Sequence, residues 1–236
     1  MDTMKLDDFD FIDFGSSKGG CIEFAKARLG GVRGLGIDID PKKVKAMRDN
    51  GYDCLRDDIT ASGLSSKSVR FVMMSHILEH LPSLESVQEV ISEAARLARD
   101  FLFIQGPYFD ADNLLEKLGF RFFWSKWTGH RCHLTTSQLR DVLLRLQLSD
   151  HWMFVRQPVV DSSDPSIHPL GSPVNSLEYN PEIHPPKPLC TFSPPVFKEM
   201  VCYVRLRPMP KEAWEEILRA RRGCQPLDTD ASDKGL

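Results

Sequence analysis

Residues 75–81 of the chain read "SHILEHL", which sets two imidazoles and a carboxylate in the pattern His76-x-x-Glu79-His80. On a helix, histidines four apart share one face and can hold zinc, with the glutamate between them serving as base. At the end of a strand the same residues do different work. A neutral imidazole near pH 7 is suited to take a proton from a hydroxyl or an ammonium. The carrying element decides between the two. "VRFVMM", immediately upstream, reads as a buried strand, and Pro82 follows Leu81 directly. A helix through 76–82 would hold that proline in its interior, at a cost of about 3 kcal/mol or more. Spacing supplies no third ligand either. The segment is read as a strand end turning toward the next helix, at the edge where open parallel sheets bind ligands. No metal is expected, and a zinc-dependent hydrolase on His76, Glu79 and His80 is the disfavoured alternative.

A second stretch, "DFGSSKGG" (13–20), follows a strand and opens a helix, so its backbone amides point into a cleft at a helix N-terminus. Asp38 closes the next strand, where a carboxylate reaches the two hydroxyls of a ribose. A dinucleotide fingerprint laid over Gly15–Gly20 puts Ser17 where the second glycine belongs. That glycine lets the backbone approach a pyrophosphate, a demand that a ligand without phosphate does not make. The loop therefore points away from a nicotinamide cofactor and toward an adenosine carrying something else. A tight turn that merely needs small residues, and an NAD-linked oxidoreductase, stay open as other readings.

The elements that must position these residues alternate strand and helix over the first hundred residues, the pattern of a parallel sheet in βαβ layers. Strands are expected at 9–15, 32–40, 52–58, 68–75 and 100–106. Helices are expected from Lys18 to Leu29, from Pro41 to about Asn50, and from Leu84 to Arg99 with Ser83 as cap. The rhythm then breaks into an aromatic segment (107–135). A helix returns at about 136–148, and two late strands are expected at 151–160 and 199–208. Between them lies a Pro-rich insertion (161–197), and a final helix precedes a polar tail expected to be mobile from Gln225. A single domain is expected over 1–208, with 209–236 as C-terminal helix and tail.

"FIDFGSSKGGCIEFA", "GLGIDIDPKKV", "RDDIT" and "FVMMSHILEHLPS" resemble, in this order, the successive motifs of class I S-adenosylmethionine-dependent methyltransferases of the small-molecule type. The resemblance covers residues 9–106 and, more loosely, the late strand pair. It implies an α/β fold with a doubly wound, seven-stranded, mostly parallel sheet whose last strand is antiparallel. S-adenosyl-L-methionine is the implied cofactor. Its methionine part falls to Asp13, Gly15 and Gly19 in the loop that includes Ser17, its ribose to Asp38, and its adenine amino group to Asp58 or the neighbouring Asp57. Ser75 and His76 fall at the cofactor's side of the pocket in which methyl and acceptor meet. Some members use an acid–histidine pair there. That implies His80 as general base, with Glu79 as its partner or as a separate acceptor contact. The other reading of His80 is a hydrogen bond to the backbone that shapes the pocket. The sequence departs from the family twice: at Ser17, and at Val69 and Arg70, where an aromatic–Asp pair usually opens the fourth strand. A partner or nucleotide-binding protein of this fold that has lost catalysis is the alternative those departures suggest.

Acceptor specificity is expected from the later segments. "GFRFFWSKWTGHRCH" sets Phe120, Phe122, Phe123, Trp124 and Trp127 beside His130 and His133. These rings could stack on a cyclic acceptor or simply pack, and either histidine could replace His80 as base. The insertion reads as a lid, a dimer contact or a disordered loop. At 236 residues with 42% hydrophobic and 27% charged content, the chain can bury a core without staples. A net charge of −3 and a pI near 6.2 argue against nucleic acid as partner. Six cysteines without a CxxC pair suit reduced thiols, and no apolar run reaches membrane-spanning length. A cytoplasmic protein acting on a small molecule is the expectation.

Overall fold

The computed structural model describes residues 6–227. Its first half runs β1 (Phe11–Phe14), α1 (Gly20–Arg28), β2 (Gly34–Asp38), α2 (Pro41–Asp49), β3 (Cys54–Arg56), β4 (Val69–Ser75), α3 (Leu84–Leu97) and β5 (Ala98–Pro107). β1 is buried throughout and β4 at every position but Arg70. Such unbroken runs belong to parallel strands covered on both faces. The five strands pair in parallel in the order β3-β2-β1-β4-β5. Alternate residues point to opposite layers. Ile12, Phe14, Val72 and Met74 pack with α3 on one face, while Phe11, Phe71 and Met73 pack with Ile22 and Met47 of α1 and α2 on the other. Helix starts follow local chemistry. Asp40 accepts the Lys42 N–H at 2.8 Å ahead of Pro41, and Ser83 accepts the Ser86 N–H at 3.3 Å.

The second half adds α4 (Asp112–Lys117), β6 (Phe120–Phe122), α5 (Thr136–Arg145), β7 (His151–Asp161), β8 (Ile167–Pro169), β9 (Thr191–Arg205), α6 (Lys211–Leu218) and β10 (Cys224–Pro226). β9 lies antiparallel between β5 and β7, which completes the expected seven strands. An eighth strand, β10, pairs antiparallel with β7 at the sheet edge. Gln225 and Pro226 therefore sit in a strand where a mobile tail was expected; residues 228–236 lie outside the described residues. Their polar composition carries no strand signal, and Pro226 is tolerated because edge positions can do without an amide donor. α6 is seated by an aromatic stack through Phe11, Phe71 and Phe101 to Trp214, with successive ring centroids 4.9, 4.6 and 6.3 Å apart.

The aromatic segment and the Pro-rich insertion, read separately in the sequence, meet in a second small sheet. β6 pairs antiparallel with β8, Phe122 opposite Ile167 and Phe120 opposite Pro169. Phe120 and Phe122 pack with Val159, Ile167, Phe192 and Val196 in a core of their own. Arg121, between them, is buried and donates to the carbonyls of Ser172 (2.9 Å) and Pro173 (3.0 Å). The late strands also run past their expected limits, β7 to Asp161 and β9 from Thr191, so less chain is left between them than 161–197.

Candidate functional site

The carboxyl ends of β1, β2, β4 and β5 lie side by side, and the chemistry-bearing residues collect there. Asp13 on β1 is 1% exposed, and neither carboxylate oxygen has a hydrogen-bond partner. Burial, with the Asp38 charge adding, pushes its carboxyl well above the usual range. Asp38, ending β2, accepts the Asp40 N–H at 2.9 Å through Oδ1, while its buried Oδ2 has no hydrogen bond. Lys43 stands 3.8 Å from that oxygen, beyond hydrogen-bond reach. Buried carboxyl oxygens without hydrogen-bond partners are costly. Two of them facing one edge fit a ligand that brings its own donors: an ammonium for Asp13 and hydroxyls for Asp38.

The loop between β1 and α1 has the backbone this requires. Gly15 and Gly19 adopt φ of +72° and +89°, and Ser17 adopts +49° in the same left-handed region. The serine thus takes the conformation that glycine would supply. Cys21, in the first turn of α1, was not singled out by spacing. Its thiol is pushed up to about 11 by burial and by the Asp13 charge, against a hydrogen bond with Ser75. The two acids after β3 are engaged locally. Asp57 accepts the Asp58 N–H at 2.8 Å, and Asp58 accepts the N–H and hydroxyl of Thr60 at 2.9 and 2.7 Å. Those Thr60 bonds hold the Asp58 carboxyl below its ordinary value.

β4 ends at Ser75, and Leu78–His80 form a single 3-10 turn rather than an α-helix. His76 adopts φ +53°, a conformation that costs a non-glycine residue about 1 kcal/mol or more. It faces a carboxylate on each side: Nε2 lies 3.0 Å from Glu199 Oε1, and Nδ1 lies 3.3 Å from Glu79 Oε1, an ion-pair distance without hydrogen-bond alignment. Burial works against its charged form, but the Glu199 and Glu79 contacts prevail and raise it to about 9. Glu199 is itself held by the guanidinium of Arg156 and, at 3.3 Å, by the Gln157 side chain. Glu199 stands 123 residues from His76 in the chain. No local pattern marks it, and only the pairing of β9 with β5 brings it to the site.

His80 turns the other way. Its Nδ1 donates to the Gly129 carbonyl at 2.9 Å, so in the neutral ring the lone pair is on Nε2. His130 repeats the arrangement, with Nδ1 on the Trp124 carbonyl at 3.0 Å. The two rings meet edge to face, centroids 4.9 Å apart, beside the buried Glu79. His76, Glu79, His80, Phe123, Trp124 and His130 line a cavity of about 300 Å³. Ile77 ties this turn to the glycine loop, since a methyl group on Gly15 would lie 2.5 Å from its Cδ1. The aromatic cluster therefore divides: Phe120 and Phe122 are core, while Phe123 and Trp124 face the cavity. His133 is set apart, stacked on Phe109 at 4.3 Å and 3.4 Å from Asp112. A larger groove of about 510 Å³, with Lys26, Arg70 and Arg222 on its walls, lies at the opposite, amino edge of the sheet.

Residues 12–100 match a family model described as "Methyltransferase domain". Over that stretch, less than half of the chain, the sequence is similar to a methyltransferase domain. S-adenosylmethionine is the cofactor of this domain, and the donor-poor carboxylates of Asp13 and Asp38 fit its ammonium and its ribose. Fifty residues are 42% identical to the ribosomal protein L11 methyltransferase of Escherichia coli O8, a match spanning 21% of this chain and 17% of that protein. The fold is similar to a crystal structure of a SAM-dependent methyltransferase from Archaeoglobus fulgidus, with a TM-score of 0.59 and 17% identity over 84% of this chain and 86% of that one. It is also similar to a Thermotoga maritima structure described as a possible histamine N-methyltransferase, with a TM-score of 0.53 and 11% identity over 84% and 82%. Among the described residues no helix is long and apolar enough to cross a membrane.

Proposed function

We propose that the protein transfers a methyl group from S-adenosylmethionine to oxygen or nitrogen of a small molecule. The observation that carries this is the juxtaposition at one sheet edge of two donor-poor buried carboxylates and a ring-lined cavity of about 300 Å³. That volume is at the small end of ligand pockets. The bound cofactor supplies a methyl already activated on a sulfonium. In this reading Asp13 and the amides of the Gly15–Gly19 loop, Ser17 included, hold its methionine part. Asp38 takes the ribose hydroxyls, Asp57 or Asp58 the adenine amino group, and Ser75 and His76 border it at the end of β4. His76, facing carboxylates with both nitrogens, is a donor and not the base. His80 Nε2 is free to accept the acceptor's proton, and Glu79 beside it stabilises the charge that results. Phe123 and Trp124 exclude water from the cavity and orient the acceptor in line.

Calorimetric titration with S-adenosylmethionine and its demethylated product tests the reading. Both are expected to bind at micromolar strength, and Asp38→Ala to abolish binding without unfolding the chain. A folded, intact protein that binds neither ligand overturns it, and a partner protein of the same fold that has lost catalysis becomes the reading to pursue.

A further inference from the structure

Glu79, His80 and His130 are arranged more strictly than proton transfer requires. We propose that they bind one divalent transition-metal ion, with its open positions turned to the cavity, where it takes an oxygen of the acceptor. One ligand atom from each of the three lies within 4.8 Å of the others. An ion with bonds of about 2.1 Å spaces its ligands roughly 3 to 4.2 Å apart, so a small ring rotation closes the set. Both rings are prepared for it. Each Nδ1–H is spent on a backbone carbonyl, Gly129 for His80 and Trp124 for His130, so in the neutral rings both lone pairs are on Nε2. Imidazoles that bind metals are oriented in this way by an outer acceptor.

Glu79 supplies the negative charge. It is 2% exposed, and Oε1 has no hydrogen bond. His76 answers it only in part, because it also bonds Glu199. The set does not depend on the ion for its assembly. The Glu79 carbonyl accepts the N–H groups of Arg131 and Cys132 at 2.8 and 3.1 Å, which fixes the turn after β4 to the segment carrying His130. Two imidazoles and one carboxylate favour manganese, iron, cobalt, nickel or zinc over calcium and magnesium, which prefer all-oxygen sites. Three protein ligands leave positions open, as in sites that act on a substrate. This is a different trio from the His76, Glu79 and His80 set that spacing suggested, and it departs from the expectation of no metal. With the ion present His80 holds metal rather than a proton, and the acceptor class narrows to oxygen, a hydroxyl or carboxylate. That narrowing rests on the methyl-transfer reading; ion binding does not.

The test is titration of the chelator-stripped, full-length protein with cobalt(II), followed by calorimetry and visible absorption. One equivalent is expected to bind. His80→Asn and His130→Ala should each weaken it by about 100-fold or more, above the ~10–100-fold typical of losing only an outer partner. His133→Ala should stay within about threefold. S-adenosylmethionine binding should survive in both histidine variants, and cobalt binding should survive in Asp38→Ala, so either site can fail alone. No cobalt uptake by the intact protein, or uptake unchanged in His80→Asn and His130→Ala, overturns the proposal. Should His130→Ala unfold, His80→Asn decides, because His80 is exposed at the rim.

Discussion

In the loop from Gly15 to Gly20, one added methyl group has two different consequences at three positions. On Gly19 it would lie 2.4 Å from Tyr52 Cδ2, at a φ of +89°. On Gly15 it would lie 2.5 Å from Ile77 Cδ1, at +72°. On Gly20 it meets nothing within 4 Å. Gly19→Ala is therefore expected to lower S-adenosylmethionine affinity at least ~10-fold and to destabilise the fold by about 2 kcal/mol, since strain and clash combine. Gly20→Ala should leave affinity unchanged and add a few tenths of a kcal/mol at the start of α1. Ser17→Gly should change affinity by less than about threefold, because the serine already holds φ +49°. Calorimetry and urea unfolding of the three variants check the set. A large loss in Gly20→Ala would mean that this loop contacts the cofactor differently.

At the scale of elements, two docking points hold late segments in place. Arg121 holds the insertion by bonding the Ser172 and Pro173 carbonyls from a site 4% exposed. Arg121→Met removes the donors and leaves those carbonyls buried, a loss of roughly 3 kcal/mol. The variant should unfold at lower urea and be cut by protease first within 161–190. Trp214 holds α6 against Phe101 and lies 5.0 Å from the Trp152 ring. Trp214→Ala should cost about 3–5 kcal/mol, as large-to-small changes in cores do. Because α6 leads into β10, amide exchange should quicken at Cys224 and Gln225 in the same variant.

For the whole molecule, the acid limit of stability is set in part by His168. It is fully buried, and burial first, then the charges of His184, Arg121 and Lys187, press its ring down to about 4. The unfolded chain takes up this proton near pH 6.5, whereas the folded chain takes it up only near 4. The folded state thus binds fewer protons across that interval, and stability falls as pH falls through it. From pH 7 to pH 5 this residue alone should remove about 2 kcal/mol. Urea unfolding at the two pH values checks it, and His168→Phe should flatten the difference by that amount.

Much of the first half was legible because its signals are local. Unbroken apolar runs marked β1, β4 and β5, Pro41 and the cap at Ser83 marked helix starts, and Pro82 ruled out a helix through His76 and His80. The order of the motifs from Asp13 to His80 placed these residues at one sheet edge for the same reason, since parallel strands joined by short helices deliver their carboxyl ends to one side. What lay beyond local pattern is what long-range pairing decides. The antiparallel return of β9 brings Glu199 to His76, and the pairing of β6 with β8 turns an aromatic stretch and a Pro-rich stretch into one cored unit. The Glu79 carbonyl, by capturing Arg131 and Cys132, sets His130 beside His80 and leaves His133 against Phe109. Spacing alone treated those two histidines alike; the difference between them is a matter of which backbone groups the tertiary structure brings within reach.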